Sequence, residues 1–249
     1  MNKILWIILF LLMILVDKNR GFKLFISILI NFAILMIIFY FIMLGLNPII
    51  LSIIGCLLMS LVILYFVNGK NEKTTSSMKS ILIVFLLLIT IVVSITHLSR
   101  IAGFGEEAYE EINMFSYDVG LDFTNITSAV ILIGLIGVIT DASIAISTAQ
   151  YEVYDNNKHL PEKELFTSGM NVGKDILCTS VNTLLFAFLG DFMTLMIWFY
   201  ECQYSFLEII NSKTFALEFI KILFSGIGCL LIIPITAFIT AKQIKHRNS

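Results

Sequence analysis

Charge is scarce in this chain. Asp, Glu, Lys and Arg make up 14% of its 249 residues, against about a quarter in an ordinary soluble domain. The scarcity excludes a solvated globular surface of the usual kind. An excess of basic charge is also missing, because the net charge is −2, and nothing in that balance points to nucleic acid as a partner. Cysteine is limited to Cys56, Cys178, Cys202 and Cys229, and no two of them form a CxxC pair. Three lie inside apolar segments, where they read as small, apolar-tolerant side chains rather than metal or redox groups. His97, His159 and His246 carry no ligand spacing, and neither HExxH nor GxSxG occurs. Metalloprotease and α/β-hydrolase chemistry therefore have no foothold, and the expectation is a non-enzyme with no metal and no cofactor. Period-two alternation is absent as well. The run ILIVFLLLITIVVS at 81–94 does not alternate, which excludes a transmembrane β-barrel.

What the chain has instead is apolar length. Hydrophobic residues make up 58%, mean hydropathy is +0.95, and the apolar residues come in blocks about as long as a bilayer is thick. Seven blocks are visible, at 4–16, 24–44, 49–67, 80–98, 125–150, 175–200 and 215–241. The fold expected is an all-α polytopic transmembrane bundle in a lipid bilayer. It forms a single integral-membrane domain over 1–249, with a polar, weakly structured tail at 242–249. Asn47-Pro48 marks a tight turn between the second and third blocks.

The first block is short for a span, which needs about twenty residues. A cleaved signal peptide is the rival. No small-x-small site precedes Asp17, however, and the basic residues follow the apolar core more than they precede it. Seven spans are expected, or six if this block does not cross. Four segments carry three basic residues each: Lys18/Arg20/Lys23, Lys70/Lys73/Lys79, Lys158/Lys163/Lys174 and Lys242/Lys245/Arg247. They alternate with loops poor in Lys and Arg, so the positive-inside bias predicts an outside N-terminus and a cytoplasmic C-terminus with seven spans, and both ends inside with six. The acidic loop at 99–124 mixes carboxylates with aromatic residues. Its 106–114 part has the pattern of a short interfacial amphipathic helix, on a loop that reads as solvated, as a cation-attracting vestibule or as a docking surface for an extracellular partner.

The most informative residue is Asp141, in the middle of the fifth block. At helical spacing Gly134, Gly137, Asp141, Ala145, Thr148 and Glu152 share one stripe. A carboxylate at membrane depth costs on the order of 2.5–3.5 kcal/mol on insertion scales, and usually faces a bundle interior or a wet cavity. The small residues around it, Gly134, Gly137, Ala145 and Thr148, form a face on which another helix can pack closely. The sixth block has a second polar face with Asn182 and Thr183, and helices five and six are expected to pack with Asp141 near Asn182. Gly190-Asp191 is a candidate helix break. Before that block, Gly169 and Gly173 are expected to bracket a cytoplasmic turn, with Lys174 and Asp175 opening the helix. An anion at that helix start is the rival reading. A P-loop is excluded, since three residues rather than four separate the glycines and Asp follows Lys. Tyr117-Asp118 and Gly190-Asp191 do not make an intramembrane aspartyl protease. Phe188 stands where that pattern has its first glycine, and Asp118 lies in a loop.

Three features together resemble a family. They are GVITDASIAISTAQYEVYDNN from Gly137, ELFTSGMNVGKDILCTSVNTLLFAFLGD from Glu164, and the apolar frame around them. The aspartate helix, the Tyr-Glu exit, the Ser-Gly-Met-Asn-x-Gly-Lys-Asp segment and the Asn-Thr-Leu helix resemble the YibE/F family of multi-pass membrane proteins, in size its smaller YibF-type member. The resemblance covers about residues 134–191. Asp191 departs from it, since the family more often has a small residue there. The resemblance implies a bacterial cytoplasmic-membrane protein and a larger YibE-type neighbour, or a further copy of the chain, as partner. It supplies no activity. Two functional expectations follow. One is a permease or permease subunit, with Asp141 binding a proton or cation beside Asn182 and Thr183. The other is a non-catalytic scaffold that docks a larger subunit through the same helices.

Overall fold

A computed structural model describes residues 2–99, 101–103 and 122–246. The expected amphipathic helix at 106–114 lies outside the described residues. Among those described there are eight α-helices and no strand: α1 (Asn2–Val16), α2 (Lys18–Met43), α3 (Pro48–Leu61), α4 (Glu72–Ser99), α5 (Phe123–Asn156), α6 (Glu162–Glu201), α7 (Phe206–Asn211) and α8 (Lys213–His246). A π-helical segment, Val62–Val67, continues α3. The chain is an all-α polytopic bundle. Six helices are long and apolar enough to cross a membrane: α2, α3 with its π extension, α4, α5, α6 and α8.

The first apolar block forms α1, whose 15 residues span about 22 Å, short of a hydrocarbon core about 30 Å thick. It folds back on α2 as a hairpin. Trp6 meets Phe25 at 6.1 Å, and Phe10 meets Phe25 at 4.7 Å between ring centroids. Asp17 makes the reversal by accepting a hydrogen bond from the Arg20 backbone N–H at 3.1 Å. Gly21 is required there because a Cβ would run into the Met13 carbonyl. Length thus favours the six-span alternative over seven. The α2–α3 turn is where Asn47-Pro48 places it. Gly45 takes φ +85°, the Asn47 side chain accepts from the Ile49 N–H at 3.0 Å, and Pro48 opens α3.

α5 is the central post, with α3, α4, α6 and α8 against it. Its Ile131, Leu132, Leu135, Ile139 and Ile146 are buried with Leu88 of α4 and Ile232 of α8. Several helices run beyond the apolar blocks. α4 begins at Glu72, not at 80, because Asn71 and Thr74 cap it reciprocally: Thr74 N–H donates to Asn71 Oδ1 at 2.9 Å, and Asn71 N–H to Thr74 Oγ1 at 3.0 Å. Ser76, Ser77 and Ser80 then return their hydroxyls to carbonyls of their own helix, so a polar sequence continues as helix. The segment expected as a weakly structured tail is helical through His246.

α6 shows the largest departure. It starts at Glu162, so Gly169, Gly173, Lys174 and Asp175 lie inside a 40-residue helix and form no turn. The two glycines are buried contact points. A Cβ at Gly169 would press on the Gln150 side chain and Ala237, and one at Gly173 on Ile233. Their four-residue spacing is a close-packing face rather than a break. With no helix start there, the anion-binding reading loses its basis. Gly190-Asp191 does not break α6 either. The far half of the helix meets α8 through an aromatic cluster: Phe188 and Phe192 of α6 stack on each other at 5.5 Å, Phe192 meets Phe215 of α8 edge-on at 5.1 Å, and Phe188 meets Phe219 of α8 in a tilted pair at 6.4 Å.

Short α7 begins with a capping box. The Ser205 backbone N–H donates to Glu208 Oε2 at 2.6 Å, and the Ser205 hydroxyl and backbone N–H hold the Glu208 carboxyl below the usual carboxylate range.

These contacts give a packing test. Gly173→Leu is expected to destabilise the purified protein by about 1–3 kcal/mol through overpacking. Gly190→Leu, with open space at that position, leaves the thermal midpoint in detergent unchanged.

Candidate functional site

α5 has two chemically opposite polar faces. One is buried. Thr140 Oγ1 lies 3.3 Å from Ser60 Oγ of α3, Ser147 Oγ 2.7 Å from Ser76 Oγ of α4, and Ser143 Oγ 3.1 Å from Thr236 Oγ1 of α8. Ser77 donates to the Ser143 carbonyl at 3.2 Å, and Ser143 donates back to the Ser77 carbonyl at 3.3 Å. At the basic-loop end Gln150 closes the seam. Its Nε2 donates to the Leu165 carbonyl of α6 at 2.8 Å and to the Ala237 carbonyl of α8 at 3.0 Å. The seam was not anticipated from the sequence. Its signal was the four-residue repeat of hydroxyls at Ser76/Ser80, Ser143/Ser147 and Thr236/Thr240, which puts hydroxyls on one helical face.

The other face is the Asp141 stripe, and among the described residues no helix covers it at Gly134, Asp141 and Ala145. Gly134, Asp141 and Ala145 are exposed, and Gly137 and Thr148 half-buried. Nothing lies within 4 Å of a Cβ placed at Gly134 or Gly137. Helical geometry forces this outcome. Asp141 is on the side of α5 opposite Ser143, Ile139 and Gln150, and those residues already face α4 and α8. At its basic-loop end the stripe opens into a polar cavity of about 490 Å³, where Thr148 and Glu152 meet Asp17, Arg20, Lys23 and Lys73.

The structure does not bring Asn182 to Asp141. α5 and α6 do pack, but at the Gln150–Gly169 end. Asp141 stands about four turns from the end of α5, and Asn182 about five and a half turns from the start of α6. The aromatic cluster holds the far half of α6 against α8. Asn182 and Thr183 are exposed, and the Thr183 hydroxyl donates to its own helix at the Thr179 carbonyl, 2.9 Å away. Asp191 is exposed too. Two outward polar faces therefore exist, one on each helix, in place of one enclosed site. Among the described residues no three His, Cys, Asp or Glu side chains gather to hold a metal.

Polytopic bundle, outward carboxylate stripe and apolar frame define a multi-pass membrane protein. The chain belongs to the family described as YibE/F-like protein, which it matches over residues 5–246. The likeness thus reaches far beyond the segment at 134–191 that suggested it, to the α1–α4 half and to α8. Neither a curated protein nor a solved structure matches the chain.

The two faces of α5 separate in a stability measurement. Asp141→Ala should leave the monomer's melting midpoint within about 0.5 kcal/mol of the parent, as for a surface position. Gln150→Ala should cost about 1–2 kcal/mol by removing its two buried interhelical hydrogen bonds.

Proposed function

We propose that this protein is a permease subunit that works within a membrane assembly, with Asp141 as the proton- or cation-binding group at the contact between subunits. The observation that carries the reading is the outward stripe, a carboxylate flanked by two glycines with open space beside both. In hydrocarbon an uncovered carboxylate is costly, and a face of Gly, Gly, Ala and Thr lets a second helix approach closely enough to shield it. The covering helix comes from a larger YibE-type protein or from a further copy of this chain. Asn182 and Thr183 serve the same assembly on the neighbouring helix. The positive-inside bias of the basic loops supports reading the Glu152 end of the stripe as the cytoplasmic side, and on that reading the polar cavity there is the inner mouth of the route to Asp141. The bilayer is the bacterial cell membrane. The reading assigns the chain no enzymatic reaction.

A scaffold that docks a larger subunit without moving anything is favoured by one specific observation: close-packing faces need no ligand, and Asp141 has no polar partner among the described residues. The two readings diverge on one pair of variants. Under the permease reading, Asp141→Asn keeps the partner on co-purification but abolishes proton or cation flux in proteoliposomes of the assembly. Gly137→Leu loses partner and flux together. Undiminished flux in Asp141→Asn at full expression would remove Asp141 from the transport step and leave the scaffold.

A further inference from the structure

A second cavity, of about 1030 Å³, lies between the start of α4 and the end of α8. It shares no residue with the Asp141 stripe. Lys70, Lys79, Lys242 and His246 line it, with Glu72 as its carboxylate. Gln243 organises the cluster. Its Nε2 donates to Glu72 Oε2 at 3.0 Å, and its Oε1 accepts from Lys79 Nζ at 3.0 Å. Glu72 is thereby engaged by an amide, and among the described residues none of Lys70, Lys79 and Lys242 pairs with a carboxylate. The cavity therefore sets three lysines against one carboxylate and carries an excess of positive charge.

The other wall is apolar. Phe238 and Ile239 line the cavity, and Lys242 Nζ sits 5.9 Å from the centroid of the Phe238 ring. Phe238 is 53% exposed. Beyond Lys79 on the same face of α4, Leu82, Ile83 and Leu86 are exposed. Cations therefore stand at the polar end of a groove that continues along the helices as bare hydrocarbon. A free anion would use only the first part, whereas a molecule with an anionic head and an acyl chain uses both. The cavity also sits at the membrane end that collects the chain's basic residues, where juxtamembrane lysines attract anionic headgroups.

We propose that the α4–α8 cleft is a binding site for an anionic phospholipid. Lys70, Lys79 and Lys242 hold its phosphate, and Phe238 and the exposed α4 leucines receive its acyl chain. The proposal is independent of what crosses the membrane at Asp141.

Native mass spectrometry of the full chain, released from detergent and titrated with phosphatidylglycerol or phosphatidylcholine, tests it. The native chain is expected to retain phosphatidylglycerol in preference to phosphatidylcholine. A Lys70→Gln/Lys242→Gln variant is expected to lose on the order of tenfold in that affinity. Both lysines are exposed, so folding is preserved, and an unchanged melting midpoint checks it. Lys158→Gln/Lys163→Gln removes the same charge at the same end of the bundle outside the cleft, and is expected to bind as the native chain does. Excess inorganic phosphate is expected not to displace the lipid. Equal retention of the two lipids, or equal loss in the two double variants, would overturn the cleft as a site. Displacement by inorganic phosphate would overturn the lipid as its occupant.

Discussion

The hydroxyl seam on the buried side of α5 decides where everything else can go. Between helices in a bilayer, apolar burial supplies little net drive, because lipid tails are as apolar as leucine. Close packing and interhelical hydrogen bonds do the orienting. Ser143, Ser147, Thr140 and Gln150 fix the rotation of α5 against α3, α4, α6 and α8 through bonds to all four. Once that rotation is fixed, the position of Asp141 is no longer free. It must lie on the far side of the same helix, and the glycines one and two turns away go with it. The fold of the chain and its most functional-looking face are thus two consequences of one constraint.

The small-residue device appears twice with opposite results. On α6, Gly169 and Gly173 are occupied: Gln150 and Ile233 fill the space a side chain would need. On α5, Gly134 and Gly137 meet nothing among the described residues. A chain that uses glycine to bring its own helices together, and carries a similar face unfilled beside a carboxylate, fits the proposed role of a subunit better than that of a closed carrier. The basic cleft at α4–α8 is a separate surface. On the two proposals, one face of the bundle takes a protein and the other an anionic headgroup.

Much of the fold was legible in the sequence. Block length and hydropathy gave the helical bundle, Asn47-Pro48 its first tight turn, and a 13-residue apolar core its one doubtful span. The helix ends were less legible, because composition reports the hydrocarbon boundary and not the hydrogen-bonded one. TTSS at the start of α4 and SGMNVGKD in α6 read as loop, but Asn71 caps the first and close packing at Gly169 and Gly173 carries the second through. Periodicity identified the Asp141 stripe correctly as a face. It could not say whether that face points in or out, because a small polar stripe satisfies either a bundle interior or an assembly contact. The competing hydroxyl stripe on the other side of α5 held that information. It was overlooked because serine and threonine at membrane depth look weaker than a carboxylate.

The central claim is that the Asp141 face is covered by protein in the membrane. A photo-crosslinking residue at Val138, on the flank of the stripe, tests this in native membranes, with a matched probe at lipid-facing Leu86 of α4, which is 65% exposed. A discrete higher-mass protein adduct from Val138, and none from Leu86, is the result the account predicts. Adducts to lipid alone at both positions would contradict it, and would leave Asp141 facing the bilayer without a subunit to cover it.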